Sequence, residues 1–147
     1  MPIDDLTAEQ YVVDASVAIK WFVDEEKSEI ARNLLRNAEL ETIRLFTPDI
    51  LLYEIGNALG KGKHFGRQDI VDALDVLLDS SVEVRNLDRS LIAQSASFME
   101  RYGLTFYDAS YAALAHTLSI PLISENLKDQ GKVKEIEVKS LASLKNL

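Results

Sequence analysis

The sequence predicts an α/β sandwich with a mainly parallel central sheet, and three observations carry that expectation. Short β-branched or alternating runs recur at Tyr11-Val12-Val13, Ile43 to Thr47, Val82-Glu83-Val84, Ile120 to Ser124 and Glu135 to Lys139. Single or paired stretches of helical periodicity separate them. The 147 residues are 47 % hydrophobic and 27 % charged, which suits one globular domain with its own core and leaves little room for two.

Taken in order, Tyr11-Val12-Val13 reads as a buried strand that ends at Asp14. Val17 to Val23 reads as a short helical turn, and Glu25 to Leu40 as an amphipathic helix with Ile30, Leu34 and Leu35 on one face. After the strand Ile43 to Thr47, Pro48 is expected at the first position of a helix reaching about Leu59, where its missing N–H costs nothing. Three glycines and several cations between Gly60 and Arg67 predict an exposed loop. Helix resumes from Gln68 to Leu78. Beyond the strand Val82 to Val84, Asp88 is expected to cap a helix running to Arg101 and stopped by Gly103. Phe106 to Ser119 is the last long helix, and residues 1–10 read as a loose N-terminal extension.

Composition excludes several chemistries. A net charge of −8 and a pI near 4.7 exclude nucleic-acid binding through bulk positive charge. With no cysteine there is no disulfide framework, zinc–thiolate site or cysteine nucleophile. The two histidines, His64 and His116, cannot build a multi-histidine metal site. Asp4, Asp5 and Glu9 replace the positive start of a secretory signal, and no apolar run approaches the roughly 20 residues of a membrane span. A soluble cytoplasmic protein without a membrane partner is expected. Carboxylates and hydroxyls are the catalytic vocabulary left.

In an open parallel sheet, ligands bind beyond the carboxyl ends of the strands. Asp14 stands there on the first strand; it either caps the following turn or serves a site, since an unpaired buried charge is costly. Glu54 lies in a helix that is apolar nearly all round, beside Leu51, Ile55 and Ala58, with Asn57 one turn on. A structural ion pair with a lysine is the other reading of Glu54. Asp108 opens the helix in Thr105-Phe106-Tyr107-Asp108, where a capping aspartate is commonplace. Ser124-Glu125-Asn126 follows the strand before it and offers oxygen donors, or is simply loop. Together these residues converge on one rim, and clustered carboxylates repel unless a cation or protons join them. Oxygen donors without histidine or cysteine point to Mg²⁺ or Mn²⁺.

At these residues the chain resembles the PIN-domain family, and more narrowly its VapC-type toxin ribonucleases. The likeness rests on Val12-Val13-Asp14-Ala15-Ser16, on Pro48 to Leu59 around Glu54, on Tyr107-Asp108-Ala109-Ser110-Tyr111 to Ala115, and on Pro121 to Asn126. It implies a three-layer α/β/α sandwich over residues 1–147 as a single PIN-like domain. It also implies an acidic metal site of Asp14, Glu54 and Asp108, with Ser16 ordering that site. The family's Thr-x-Asp stands here as Ser124-Glu125-Asn126, so Asn126 ligates through its carbonyl or Glu125 substitutes as a metal ligand. One negative charge fewer puts a full two-metal site in doubt.

The expected activity is hydrolysis of RNA phosphodiesters by a Mg²⁺- or Mn²⁺-dependent endoribonuclease. The resemblance further implies a cognate antitoxin that blocks the acidic groove, typically with an arginine, and a homodimer formed through apolar surface between Ile30 and Leu59. Lys61, Lys63 and Arg67 either bind phosphate locally or form a solvated linker. Two other readings compete. One is a phosphatase with Asp14 as nucleophile, although haloacid dehalogenase-like enzymes have Asp where Ser16 stands. The other is a catalytically degenerate PIN-like module that binds RNA or protein.

Overall fold

Successive residues Val12 and Val13, and again Leu45, Phe46 and Thr47, are all buried, so both faces of the sheet are covered by helices. The computed structural model describes residues 8–144. Its strands β1 (Glu9–Val13), β2 (Ile43–Pro48), β3 (Glu83–Arg85), β4 (Leu122–Ile123) and β5 (Val138–Lys139) all pair in parallel, in the order β3-β2-β1-β4-β5. Val12 lies opposite Phe46 on one side and Leu122 on the other. The chain builds outward from β1 through β2 to β3, then returns to lay β4 on β1's other edge. Strand order therefore reverses beside β1, and the ends of β1 and β4 flank a crevice at that switch point.

The helices are α1 (Ala15–Ala18), α2 (Ser28–Glu39), α3 (Ile50–Asn57), α4 (Arg67–Asp79), α5 (Arg89–Tyr102), α6 (Phe106–Leu118) and α7 (Leu127–Gln130). α6 packs on β1, β2 and β4 with α5 against it, while α2 packs on β2 and α3 touches α1 and α4. The three-layer parallel α/β fold expected from the sequence is the fold observed. Asp88 caps α5 by accepting from the Leu91 N–H at 2.8 Å, and the helix closes at Gly103. Among the described residues, no helix is long and apolar enough to cross a membrane.

Several boundaries differ from expectation. Glu9 and Gln10, read as part of a loose extension, already belong to β1; residues 1–7 of that extension lie outside the described residues. The expected turn from Val17 to Val23 is α1 followed by a 3-10 turn, Ile19–Trp21. α2 starts three residues later than predicted because Ser28 Oγ accepts from the Glu25 N–H (3.0 Å) and donates to the Val23 carbonyl (2.8 Å), closing a turn first. Pro48 ends β2 opposite Arg85 rather than starting a helix. A strand terminus tolerates its missing N–H as well as a helix start does.

The predicted loop from Gly60 to Arg67 shrinks to residues 63–66, its ends being helical. Ala58–Gly62 continues α3 as a π-turn, with Lys63 N–H donating to the Ala58 carbonyl at 3.0 Å. Leu59 is wholly buried there, and a Cβ on Gly60 would meet Ile70 Cδ1 at 3.1 Å. Glycine marks a close helix–helix approach here, not a loop. β4 and β5 keep only the cores of their predicted runs.

The short helix α7 has no counterpart in the expectation. Gly131 closes it, donating its N–H to the Leu127 carbonyl, and a Cβ at that position would stand 2.4 Å from the same oxygen. Gly131→Ala is expected to push α7 aside and cost about 1–3 kcal/mol. A thermal melt measures this; an unchanged midpoint would contradict the close approach.

Candidate active site

Asp14 follows the last residue of β1 and is 5 % exposed. It caps α1, as the bland reading foresaw: its Oδ1 accepts from the Ser16 N–H at 3.0 Å and from the Ser16 hydroxyl. Its Oδ2 accepts from the Ser124 hydroxyl, which comes from the neighbouring strand end. Burial pushes the Asp14 carboxyl up to about 6, against the opposing pull of hydrogen bonds from Ser124, Ser16 and the Val17 and Ser16 backbone.

Glu54 sits half-buried on α3 between the wholly buried Leu51 and Ile55. No lysine pairs with it among the described residues; Tyr111 of α6 instead donates its hydroxyl to Oε1 at 2.6 Å. Burial raises the Glu54 carboxyl, the Tyr111 hydrogen bond opposes that, and the charge of Asp108 adds to it. Asp108 lies in the first turn of α6, where Thr105 Oγ1 accepts from its N–H at 3.0 Å. Burial raises its carboxyl as well, and the charge of Asp129 contributes. Tyr111 is pushed far above the ordinary phenol range, first by burial, then by Glu54, Asp14 and Asp108. The tyrosine hydroxyl thus donates to Glu54 and also feels the charges of Asp14, just after β1, and Asp108 on α6.

Asp129, which the sequence did not single out, is a further carboxylate whose charge acts on Asp108, and Lys132 Nζ stands 3.4 Å from its Oδ1. It lies on α7, and the Asn126 Nδ2 donates to its Oδ2 at 3.4 Å. Gln130, wholly buried, donates its amide to the Asp108 carbonyl at 3.0 Å and so ties α7 to the start of α6.

Glu125 is spoken for. Its Oε1 accepts from the Leu141 N–H at 2.8 Å and its Oε2 pairs with Lys27 Nζ at 3.5 Å, while its own N–H donates to Ser16 Oγ. The oxygens of Glu125, the alternative metal ligand expected from the sequence, meet Leu141 of the C-terminal 3-10 turn and Lys27 just before α2. Of the basic residues, Lys63 pairs with Glu25 at 3.4 Å, which Lys20 also holds, while Lys61 and Arg67 are exposed. His64 is exposed in the loop before α4, and His116 lies edge-on to Phe98.

Among the described residues, no three Asp, Glu or His side chains come close enough to enclose a metal ion by themselves. The donor set still fits a hard cation: it offers oxygen only, and burial raises Asp14, Glu54 and Asp108, with the charge of Asp108 adding to Glu54 and that of Asp129 adding to Asp108. Such a site would hold its cation partly through water, as Mg²⁺ prefers. Both oxygens of Asp14 accept serine hydroxyls, which leaves neither aimed outward as a phosphatase nucleophile requires.

Comparison with known proteins agrees with this picture. The PIN domain family model matches residues 11–135. Exonuclease VapC9 of Pyrobaculum aerophilum is 29 % identical over 140 residues, covering 90 % of this chain and 92 % of that protein. Ribonuclease VapC3 of the same organism is 29 % identical over 118 residues, covering 77 % and 86 % respectively. Among solved structures, a toxin–antitoxin complex from Klebsiella pneumoniae has a chain that superposes with a TM-score of 0.63 at 20 % identity, covering 89 % of this chain and 97 % of that one.

Proposed function

Because the chain belongs to the PIN-domain family, we propose that it is a metal-dependent ribonuclease acting as the toxin of a toxin–antitoxin pair. The observation that supports this reading is that Asp14, Glu54 and Asp108 lie at the switch point of the sheet with raised pKa values, Tyr111 donating to Glu54 and the charge of Asp129 acting on Asp108. These four carboxylates would hold Mg²⁺ or Mn²⁺, directly or through water. When bound there, such a cation supplies a Lewis acid for a phosphate oxygen and acidifies a water for attack on phosphorus. Ser16 and Ser124 keep the two oxygens of Asp14 in place, and Tyr111 fixes the rotamer of Glu54. Asn126 acts by orienting Asp129.

Nuclease activity is supported by the names of both Pyrobaculum relatives. Cleavage within the strand is the finer claim. Purified protein is incubated with linear and circular RNA in Mn²⁺, Mg²⁺ or EDTA. Metal-dependent opening of the circle is expected; trimming of linear RNA alone would make the enzyme an exonuclease, and no cleavage with either metal would sink the reading.

The antitoxin partner is supported by the Klebsiella complex and by charge, since a −8 chain suits a basic inhibitor. An arginine from that partner, set among the four carboxylates, would displace the cation. Pairing of two copies through the span from Ile30 to Leu59, where Leu40 is 64 % exposed, also belongs to this reading. Sedimentation of the free protein checks it.

A further inference from the structure

Two large aromatic rings stand in solvent beside the carboxylates: Tyr53 is 76 % exposed and Tyr107 is 56 % exposed. Each immediately precedes a carboxylate of the site, Glu54 on α3 and Asp108 on α6. Both line an open groove of about 590 Å³ whose walls also include Ser16, Ile50, Glu54 and Asn57. The groove is therefore continuous with the acidic site, apolar on its flanks and furnished with one exposed amide.

An enzyme of net charge −8 cannot gather RNA by its bulk field, and Lys63 of the one basic cluster near α3 is already paired with Glu25. Affinity has to come from contacts that do not need positive charge. Stacking of bases on aromatic rings is such a contact; it tolerates any base because every base has a π-face. Resting on the nuclease reading above, we propose that the groove between Tyr53 and Tyr107 binds an unpaired nucleobase of single-stranded RNA next to the phosphate that is cleaved. Asn57, one turn after Tyr53, presents both a donor and an acceptor to the edge of that base. A paired base is stacked within its helix and cannot enter, so the site selects loops and single strands over duplex.

The test measures binding separately from cleavage, by anisotropy of a short fluorescein-labelled single strand of mixed sequence and of its blunt duplex. It uses Tyr53→Ala, Tyr53→Phe, Tyr107→Ala and Tyr107→Phe, each on an Asp14→Asn background that prevents turnover. Each alanine is expected to weaken single-strand binding about 5- to 100-fold, about 1–3 kcal/mol, while each phenylalanine stays within about twofold. Duplex binding should not change. In the otherwise wild-type protein, Mn²⁺-dependent hydrolysis of bis(p-nitrophenyl) phosphate, which offers no nucleobase, should survive the alanine substitutions.

Equal single-strand affinity in the alanine variants would overturn the proposal, as would an equal loss with duplex. A shift in self-association on sedimentation, with RNA affinity unmoved, would assign the groove to a second copy of the chain instead. Failure of the wild type to cleave any RNA counts against the nuclease reading alone, because the binding measurement stands without it.

Discussion

Asp14→Asn should abolish metal-dependent cleavage and, at the same time, make the metal-free protein more stable at neutral pH. The loss of activity follows from removing the most buried carboxylate of the site; several kcal/mol of transition-state stabilisation correspond to a fall of roughly two orders of magnitude or more. The gain in stability follows from proton linkage. Burial raises the Asp14 carboxyl from 3.8 to about 6, so between those values the folded protein binds more protons than the unfolded chain. Stability contributed by that proton is fully present below pH 3.8 and is lost as pH rises through about 6. At pH 7 to 8 the ionised group then costs the metal-free fold about 2–3 kcal/mol.

Asparagine carries no charge and keeps one acceptor for Ser16, but presents an amide to Ser124, whose hydroxyl must turn. A net gain of about 1–2 kcal/mol is expected, or roughly 2–8 °C in the thermal midpoint at pH 8. The difference should vanish near pH 4. Mn²⁺ should raise the midpoint of the wild type and leave that of the variant unmoved. Cleavage at the wild-type rate, or a natively folded variant melting lower than wild type at pH 8, would contradict the role assigned to Asp14.

Asp129→Asn and Glu125→Gln should separate sharply, although only four residues divide them. Asp129 raises the pKa of Asp108 through space and accepts from Asn126 Nδ2, with Lys132 Nζ 3.4 Å from its other oxygen, so the proposed site includes its charge. Its loss is expected to weaken Mn²⁺ binding about 10- to 100-fold, measured by calorimetry, and to lower cleavage accordingly. Glu125 spends its oxygens on Leu141 and Lys27, and glutamine preserves the first contact. Cleavage by Glu125→Gln should stay within about threefold of wild type, with a stability change of about 1 kcal/mol or less. The reverse ranking would return the fourth position to Glu125.

How far the site was legible follows from the same residues. Asp14 and Glu54 stood out because each departs from its local pattern, an acid after a β-branched run and an acid inside an apolar helix, whereas Asp108, a commonplace acid at a helix start, was singled out by the family resemblance. Departures of that kind are visible in one dimension. Asp129 departs from nothing locally, and its proximity to Asp108 depends on where α7 docks, which Gln130 decides from across the fold. The contacts of Glu125 were likewise not legible, because sequence shows a side chain's type and not its partners, and Lys27 and Leu141 lie outside its local segment.

Periodicity and composition were sufficient for the parallel α/β class, the order of its elements and the oxygen-only chemistry, because burial on two faces and the absence of cysteine are written residue by residue. Tertiary packing alone decided the rest: Pro48 as a strand end, the π-turn at Gly60, the short helix that brings in Asp129, and the two exposed tyrosines beside the carboxylates. Each of those depends on a contact between segments distant in sequence, and the free energy of such a contact has no local signature to read.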